Sequence, residues 1–311
     1  MPSDTALLAE LTPTLERLVD RHLETSKEWF PHELVPWERG DAATAGRDWD
    51  EDAHPLPAAV RSSLFVNLLT EDNLPYYFST IDGVFGAGDA WGTWARRWTA
   101  EEGRHSIVIR DYLTVAGLVD PVALERARMH QVSHGVVPEP ATPLDALVYV
   151  ALQELATRIA HRATGKLLDD RAGYQVMARV AADENLHHLL YRDLVSAALE
   201  IDPSGTVEAI ERQVTDFEMP GTGIVDFEAH AMAIAKAGIY DLEVHHDQIL
   251  VPVVLRHWAV EDLEGLTPAA EEARARLVRR VERVGKAGRR LAQRWVESGA
   301  RTDAERVPVP A

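Results

Sequence analysis

Residues 101–105 read EEGRH, and residues 183–188 read DENLHH. In each stretch a glutamate is followed three positions later by a histidine: Glu102 by His105, and Glu184 by His187. On an α-helix these spacings lie on one face, so each pair can direct a carboxylate and an imidazole to a common point. A single Glu-x-x-His pair is weak evidence, because surface helices carry this spacing by chance. Two such pairs in one chain predict that a pair of helices shares a site.

Two further glutamates stand at matching distances before these pairs. Glu71 lies 31 positions before Glu102, and Glu154 lies 30 positions before Glu184. Each interval suits a helix, a turn and a returning helix, which brings a glutamate and a Glu-x-x-His pair to similar depth. Taken alone, either glutamate is most simply an exposed helix residue, but Glu154 sits in the apolar stretch LVYVALQELATRIA, where a carboxylate needs a partner.

The resulting ligand set is that of a two-metal carboxylate bundle. Its four carboxylates balance the charge of two divalent cations, so the site can be buried without a large net charge. Oxygen and imidazole ligands suit iron or manganese, and ligand type alone does not choose between them. The predicted metal ligands are Glu71, Glu102, His105, Glu154, Glu184 and His187.

Apolar residues recur at helical spacing along most of the chain, so the fold prediction is all-α. The long helical stretches are 91–116, 144–166, 172–199 and 227–255, and residues 120–143 form a short helix and a Pro-rich crossover. Pro75 predicts a kink beside Glu71. The predicted organisation is a single domain over residues 1–298, followed by a flexible C-terminal tail at 299–311.

Composition excludes several classes of site and partner. The chain has no cysteine, which excludes disulfides, cysteine-ligated zinc and an iron–sulfur cluster carried by this chain. Any electrons that the protein needs must therefore come from outside. The formal net charge of −18 disfavours nucleic acid as a partner.

One stretch departs from this acidic balance. Residues 274–294 are densely basic and form either a solvated helix face or a docking surface for an acidic protein. No signal peptide or membrane span is evident, which favours a cytoplasmic protein.

The chain resembles the soluble acyl-acyl-carrier-protein desaturases, the type 2 fatty acid desaturases. The stretches that carry this resemblance include SKEWFPHELVPW at 26–37, LLTEDNLPYY at 68–77, WTAEEGRH at 98–105, ADENLHH at 182–188 and HDQILVPVVLRHW at 246–258. The stretches FEMPGTGIVDF at 217–227 and AGIYDLEVHHDQIL at 237–250 are most similar to the actinobacterial branch. The two family motifs, EENRH and DEKRHE, fall on the two Glu-x-x-His pairs.

The resemblance implies a ferritin-like di-iron helix bundle with additional helices, and the same six ligands. It implies that two iron ions, for which manganese can substitute, use O2 and two external electrons to place a cis double bond in a saturated acyl chain. The implied partners are acyl-carrier protein, a ferredoxin-like electron donor and a second copy of the chain in a homodimer. Thr157 matches a position associated with oxygen activation, while Trp29 and Asp183 match residues proposed to conduct electrons toward His105. Two of these residues have a simpler interpretation. The Thr157 hydroxyl could bond to its own helix, and Trp29 could be a core or surface anchor.

The chain departs from the family at four positions around the motifs. Gly103 replaces Asn, and Asn185, Leu186 and His188 replace Lys, Arg and Glu. Residues that surround metal ligands affect affinity and activity, so a weakly active or regulatory paralogue stays open. Hydroxylation of a carrier-bound substrate and iron storage stay open as well. Acyl chain length, double-bond position and the native electron donor do not follow from the sequence.

Three tryptophans and two histidines receive simpler predictions. Trp91, Trp94 and Trp98 recur at helical spacing, which is typical of core and dimer packing. His245 and His246 lie far along the chain from the predicted ligands, so contact with solvent or a partner is predicted for them.

Overall fold

The computed structural model describes residues 3–40, 49, 56–221 and 223–301. Across these residues the regular structure is helical throughout, without a β-strand, which confirms the all-α prediction. The helices are α1 Asp4–Thr25, α2 Pro31–Leu34, α3 Ala58–Glu71, α4 Leu74–Phe85, α5 Asp89–Val115, α6 Pro121–His134, α7 Pro143–Leu167, α8 Arg171–Ile201, α9 Pro203–Thr215, α10 Phe227–Lys236, α11 Leu242–His245, the π-helix His246–His257 and α12 Pro268–Glu297, with a short 3₁₀ turn at Trp37–Arg39.

Four of these helices, α3, α5, α7 and α8, carry every predicted metal ligand. Helix α7 packs along α8 over most of its length, and nearly all of its side chains are buried. Helix α1 covers α5 and α8, and α9 and α12 extend the bundle on another side. The central four helices therefore position the site, while the others shield it from water.

Capping residues fix where the central helices begin. Thr142 accepts a hydrogen bond from the Asp145 amide, and Pro143 occupies the first turn of α7. Asp170 accepts from two amides of the first turn of α8. Asp202 closes α8 and also caps α9, whose first residue is Pro203. These local signals place the three predicted helices over 91–116, 144–166 and 172–199 within two residues of their observed ends.

The fourth predicted helix, over 227–255, is wrong because the chain breaks within it. Gly238 has a φ of +69°, which ends α10, and Asp241 then caps α11 by accepting from the Val244 amide. The following segment is a π-helix that contains Pro252. Proline has no amide hydrogen, and the wider π-helical turn accommodates its ring where a regular α-helix would not.

The kink predicted at Pro75 is also wrong, because the chain makes a full break there. Helix α3 ends at Glu71, and Pro75 lies in the first turn of α4, where its missing amide hydrogen costs nothing. Glu71 is consequently the last residue of its helix. The crossover predicted over 120–143 is confirmed as α6 followed by an irregular connection to α7.

Helix α12 packs unusually close to α11, and this contact yields a stability prediction. A Cβ added at Gly288 would lie 2.6 Å from the backbone nitrogen of Glu243, so the two helix backbones would have to separate. We expect Gly288→Ala to destabilise the protein by about 2 kcal/mol, the usual scale for overpacking. A Cβ added at Gly103 meets no atom within 4 Å, so Gly103→Ala should stabilise α5 by about 1 kcal/mol. Urea unfolding of both variants checks this, and equal shifts would contradict it.

Candidate metal centre

The six predicted ligands converge in the middle of the bundle. Glu71 comes from α3, Glu102 and His105 from α5, Glu154 from α7, and Glu184 and His187 from α8. All six are buried, and both histidines have 0% relative exposure. Both Nδ1 atoms lie among the carboxylates: His105 Nδ1 is 3.2 Å from a Glu102 oxygen, and His187 Nδ1 is 2.8 Å from the other.

The donor atoms form two overlapping groups of four, each spanning no more than 4.8 Å. One group comprises Glu71, Glu102, His105 and Glu184, and the other comprises Glu102, Glu154, Glu184 and His187. Glu102 and Glu184 belong to both groups. This arrangement offers two neighbouring cation positions with two carboxylates between them.

The residues present fit a pair of cations on the evidence of their own unsatisfied atoms. Buried atoms without a hydrogen-bond partner among the described residues include Glu102 Oε1, Glu154 Oε2, Glu184 Oε2 and His187 Nδ1. An unpaired buried carboxylate oxygen costs several kcal/mol, so three such oxygens beside an unpaired imidazole nitrogen indicate that positive charge belongs there. Burial, together with the charge of Glu184, raises the pKa of the Glu154 carboxyl well above its ordinary value.

Metal binding at this centre should depend strongly on pH. Although burial disfavours charged imidazole, the adjacent carboxylates raise the pKa values of His105 and His187 well above the ordinary value. Cation binding at this centre therefore competes with protons for both imidazoles and for the Glu154 carboxylate. Affinity for Mn²⁺ should rise as pH rises from about 5.5 to 7.5, with release of several protons per chain. Calorimetry in buffers of different ionisation enthalpy counts these protons, and binding without proton release would contradict the prediction.

The predicted electron-route residues lie in contact with one another. Trp29 Nε1 donates to Asp183 Oδ2 at 2.8 Å, and the same oxygen lies 3.4 Å from His105 Nε2. The indole stacks on the imidazole of His105 with ring centroids 6.3 Å apart. We call the group of Trp29, Asp183 and His105 an arm of the centre. The guanidinium groups of Arg104 and Arg179 lie over its indole and form ion pairs with Asp183, so the arm is anchored from outside the centre.

Thr157 lies beside the centre, and its hydroxyl makes the hydrogen bonds to its own helix that its simpler interpretation predicted. Its hydroxyl donates to the backbone oxygens of Gln153 and Glu154, at 3.2 and 3.1 Å. The same residue lines a small cavity of about 20 Å³ that also borders Glu71, Glu102 and Glu184. The structure therefore brings Thr157 to the centre while its hydroxyl remains bonded to the helix.

Sequence reasoning missed three residues that contact the ligands. His161 Nε2 lies 2.9 Å from Glu71 Oε1, and the Glu71 and Glu184 carboxylates raise the pKa of this imidazole to about 9 against the effect of burial. Trp98 Nε1 donates to Glu154 Oε1 at 3.0 Å, so this tryptophan is more than core packing. Glu101 lies 2.9 Å from His187 Nε2. Helical spacing is the signal that points to them: His161 stands seven positions after Glu154, and Trp98 four before Glu102.

Two other histidines that stood out in the sequence are not ligands. His188 is buried, its Nδ1 lies 2.8 Å from the Ala151 carbonyl, and burial lowers its pKa to about 4. The solvent contact predicted for His245 is wrong, because this residue is buried against Phe217 and bonded to the Tyr240 hydroxyl at 2.8 Å. His245 lines a second, mostly apolar cavity of about 510 Å³ between α9, α10, α11 and α12.

The chain matches the family model "Fatty acid desaturase" over residues 3–307. The protein belongs to this fatty acid desaturase family. It is 41% identical over 287 residues to the acyl-[acyl-carrier-protein] desaturase DesA1 of Mycobacterium tuberculosis, a match that covers 88% of this chain and 84% of the relative. It is 34% identical over 246 residues to the chloroplastic stearoyl-[acyl-carrier-protein] 9-desaturase 6 of Arabidopsis thaliana, covering 73% of this chain and 62% of the relative.

The fold has a solved counterpart in the same family. The crystal structure of the acyl-ACP desaturase DesA2 of Mycobacterium tuberculosis matches this structure with a TM-score of 0.68 at 29% identity, covering 86% of this chain and 99% of the other. The ferritin-like helical fold that the family resemblance implied is therefore confirmed. In the described part of the desaturase, no helix is long and apolar enough to cross a membrane.

Proposed function

We propose that this desaturase places a cis double bond in a saturated acyl chain carried by acyl-carrier protein, using O2 and two external electrons at a di-iron centre. The observation that carries the proposal is the pair of overlapping donor groups with unsatisfied buried atoms, in a chain of the fatty acid desaturase family. In the balanced reaction, O2, two electrons and two protons combine with two hydrogens removed from adjacent carbons, which yields the alkene and two waters. Glu71, Glu102, His105, Glu154, Glu184 and His187 would hold two iron ions, which would supply the O2 chemistry when bound.

The protein's own contribution begins with a route for the acyl chain. The small cavity beside the ligands is lined by Tyr77, whose hydroxyl lies close to that of Tyr149. The Tyr149 ring lies 6.0 Å from the ring of Phe217, which lines the large apolar cavity. In this proposal an apolar chain enters through the large cavity and extends past these aromatic rings toward the centre. The rings hold the chain in one orientation and exclude water from the reacting carbons.

Electrons enter, in this proposal, along the arm made by Trp29, Asp183 and His105. The Trp29 indole is 5% exposed, and its nitrogen donates a hydrogen bond to Asp183. Trp29 also lies only two residues before the exposed helix α2, which places an aromatic group of this arm near the surface. The absence of cysteine from the chain fits an external donor of the ferredoxin type. A homodimer remains an expectation from the family resemblance, and a cytoplasmic location remains an expectation from the sequence.

Helix α12 offers the carrier protein a docking surface. Its cavity face presents Arg280, Val284, Leu291 and Trp295 to the large cavity. The adjacent face, which we call the basic face, is exposed and consists of Arg279, Arg283, Lys286, Arg290 and Arg294. A basic face beside an apolar cavity, on a chain with a net charge of −18, suits an acidic carrier that delivers an apolar chain.

One assay separates the candidate reactions. Iron-loaded protein is incubated with acyl-carrier protein bearing saturated chains of several lengths, reduced ferredoxin and O2, and the intact acyl mass is measured. Loss of two hydrogens supports desaturation and identifies the preferred length. Gain of one oxygen would mean hydroxylation, while no change despite two bound ions would overturn the proposal in favour of iron storage or a regulatory role.

A further inference from the structure

A second arm supports the other ligand histidine, His187. Glu101 Oε2 lies 2.9 Å from His187 Nε2 and 2.9 Å from His22 Nε2. The other carboxylate oxygen, Oε1, accepts from Arg97 Nε at 2.6 Å. Glu101, His187 and His22 are buried. Both oxygens of this buried carboxylate therefore face nitrogen atoms.

This arm repeats the plan of the arm around Asp183. Asp183 immediately precedes ligand Glu184 and holds His105, whereas Glu101 immediately precedes ligand Glu102 and holds His187. In both arms the acid also binds an arginine four positions earlier on its own helix, Arg179 in one and Arg97 in the other. The sequence carries the same plan, since residues 97–105 and 179–187 share the pattern Arg-x-x-Ala-acid-Glu-x-x-His.

The outermost member is what differs between the arms. Trp29 supplies an indole N–H to Asp183, and His22 of α1 supplies an imidazole nitrogen to Glu101. The His22 ring lies nearly parallel to the ring of His187, with centroids 5.7 Å apart, and its edge meets Trp94. His22 Nδ1 has no hydrogen-bond partner among the described residues, which leaves Nε2 to bind Glu101.

We infer that Glu101 and His22 are positioning residues for His187, and that they govern the affinity of one of the two metal positions. A hydrogen bond from His187 Nε2 to Glu101 fixes the ring and leaves Nδ1 free to face Glu102 and Glu154. Groups that hold a ligand histidine in this way typically change metal affinity about 10–100-fold when removed. Because His187 belongs to only one of the two donor groups, the effect should be confined to one ion.

The cluster of His22, Glu101 and His187 could itself have held a cation, since its donor atoms also lie close together. Arg97 argues against this, because its guanidinium already neutralises the carboxylate of Glu101. The distances of 2.9 Å are those of hydrogen bonds between ring nitrogens and a carboxylate. A positioning role accounts for every contact of the cluster.

The inference rests on the proposed metal centre, and the test separates the two. Metal-free wild-type protein and Glu101→Gln are titrated with Co²⁺ against a chelator of known affinity, with circular dichroism to verify the fold. We expect the wild type to bind two ions. In the variant, the affinity for one ion should fall about 10–100-fold, and the affinity for the other should change little. Wild-type protein that binds fewer than two ions would refute the proposed centre instead. A third wild-type ion that disappears in Glu101→Gln would overturn the positioning role in favour of a cation site.

Double variants assign the affected ion. The effect of Glu101→Gln should vanish when His187 is already alanine and persist when His105 is alanine, because the coupling runs through His187 alone. The effect of the matched variant Asp183→Asn should vanish when His105 is alanine and persist when His187 is alanine. Equal weakening of both ions, or an effect that persists in His187→Ala, would overturn the inference.

Variants of His22 keep the test decisive if Glu101→Gln does not fold. His22→Gln retains a side-chain nitrogen donor for Glu101, whereas His22→Leu removes it. We expect His22→Leu to lower the affinity for the same ion and to alter the visible spectrum of bound Co²⁺. In His22→Gln the affinity and the spectrum should both return to those of the wild type. Identical Co²⁺ binding in the two variants would mean that His22 only fills space.

Discussion

Replacing Glu184 by alanine should abolish binding of both metal ions and reduce turnover by at least about a thousandfold. Glu184 is one of the two carboxylates common to both donor groups, and its Oε1 lies 3.5 Å from His105 Nδ1. Loss of a residue that serves two ions cannot be compensated by ligands that serve one. A thousandfold loss corresponds to about 4 kcal/mol, which is the scale of charge stabilisation by a bound metal.

Two measurements test this prediction. Inductively coupled plasma spectrometry counts the bound metal, and melting curves compare metal-free with metal-loaded protein, since ligand binding raises the melting temperature by mass action. The matched control is Glu200→Ala, the same substitution at an exposed position of α8. The control should keep both ions, the metal-induced shift and the activity. An active Glu184→Ala enzyme with two bound ions would refute the proposed ligand set.

Charge reversal on the basic face should raise the KM for the acyl-carrier substrate about tenfold or more, with little change in kcat. The variant is Arg283→Glu combined with Arg290→Glu, because both side chains are exposed and neither makes an ion pair with another described residue. Charges at the exposed edge of an interface chiefly affect the rate of association, and their contribution falls as salt screens them. The difference from wild type should therefore shrink between about 0.05 and 0.5 M salt.

A second double variant controls for net charge. Arg126→Glu with Arg171→Glu makes the same change in total charge at exposed positions of α6 and α8. It should leave KM near the wild-type value. If both double variants raise KM equally, the carrier responds to overall charge and not to α12. If neither does, the docking proposal fails while the desaturase proposal stands.

The departures from the family motifs have limited structural consequences. His188 bonds the α7 backbone and lies outside the ligand set, and an added Cβ at Gly103 would meet open space. The arms that hold His105 and His187 are both complete. These observations favour an active enzyme over a regulatory paralogue, and the acyl mass assay decides between them.

The predicted C-terminal tail lies mostly outside the described residues, which end at residue 301. Composition predicts a flexible tail from residue 299 onward, yet Arg301, among the last described residues, is buried. Its guanidinium lies 2.7 Å from Asp241, at the edge of the large cavity. A single long-range ion pair of this kind leaves no local pattern in the sequence.

By itself the sequence determined the helical class, the three long helices and the six acidic and imidazole side chains that converge in the core. Helical periodicity and residue spacing are local properties, and four acids and two imidazoles on inward faces have few other stable uses. Only the tertiary structure decided what surrounds those ligands. His161, Trp98, Glu101 and His22 act through partners that lie between 56 and 90 positions away in the chain, and the cavities form where separate helices fail to fill space. The breaks at Pro75 and Gly238 also required the structure, because whether a helix bends or ends depends on what packs against the freed backbone.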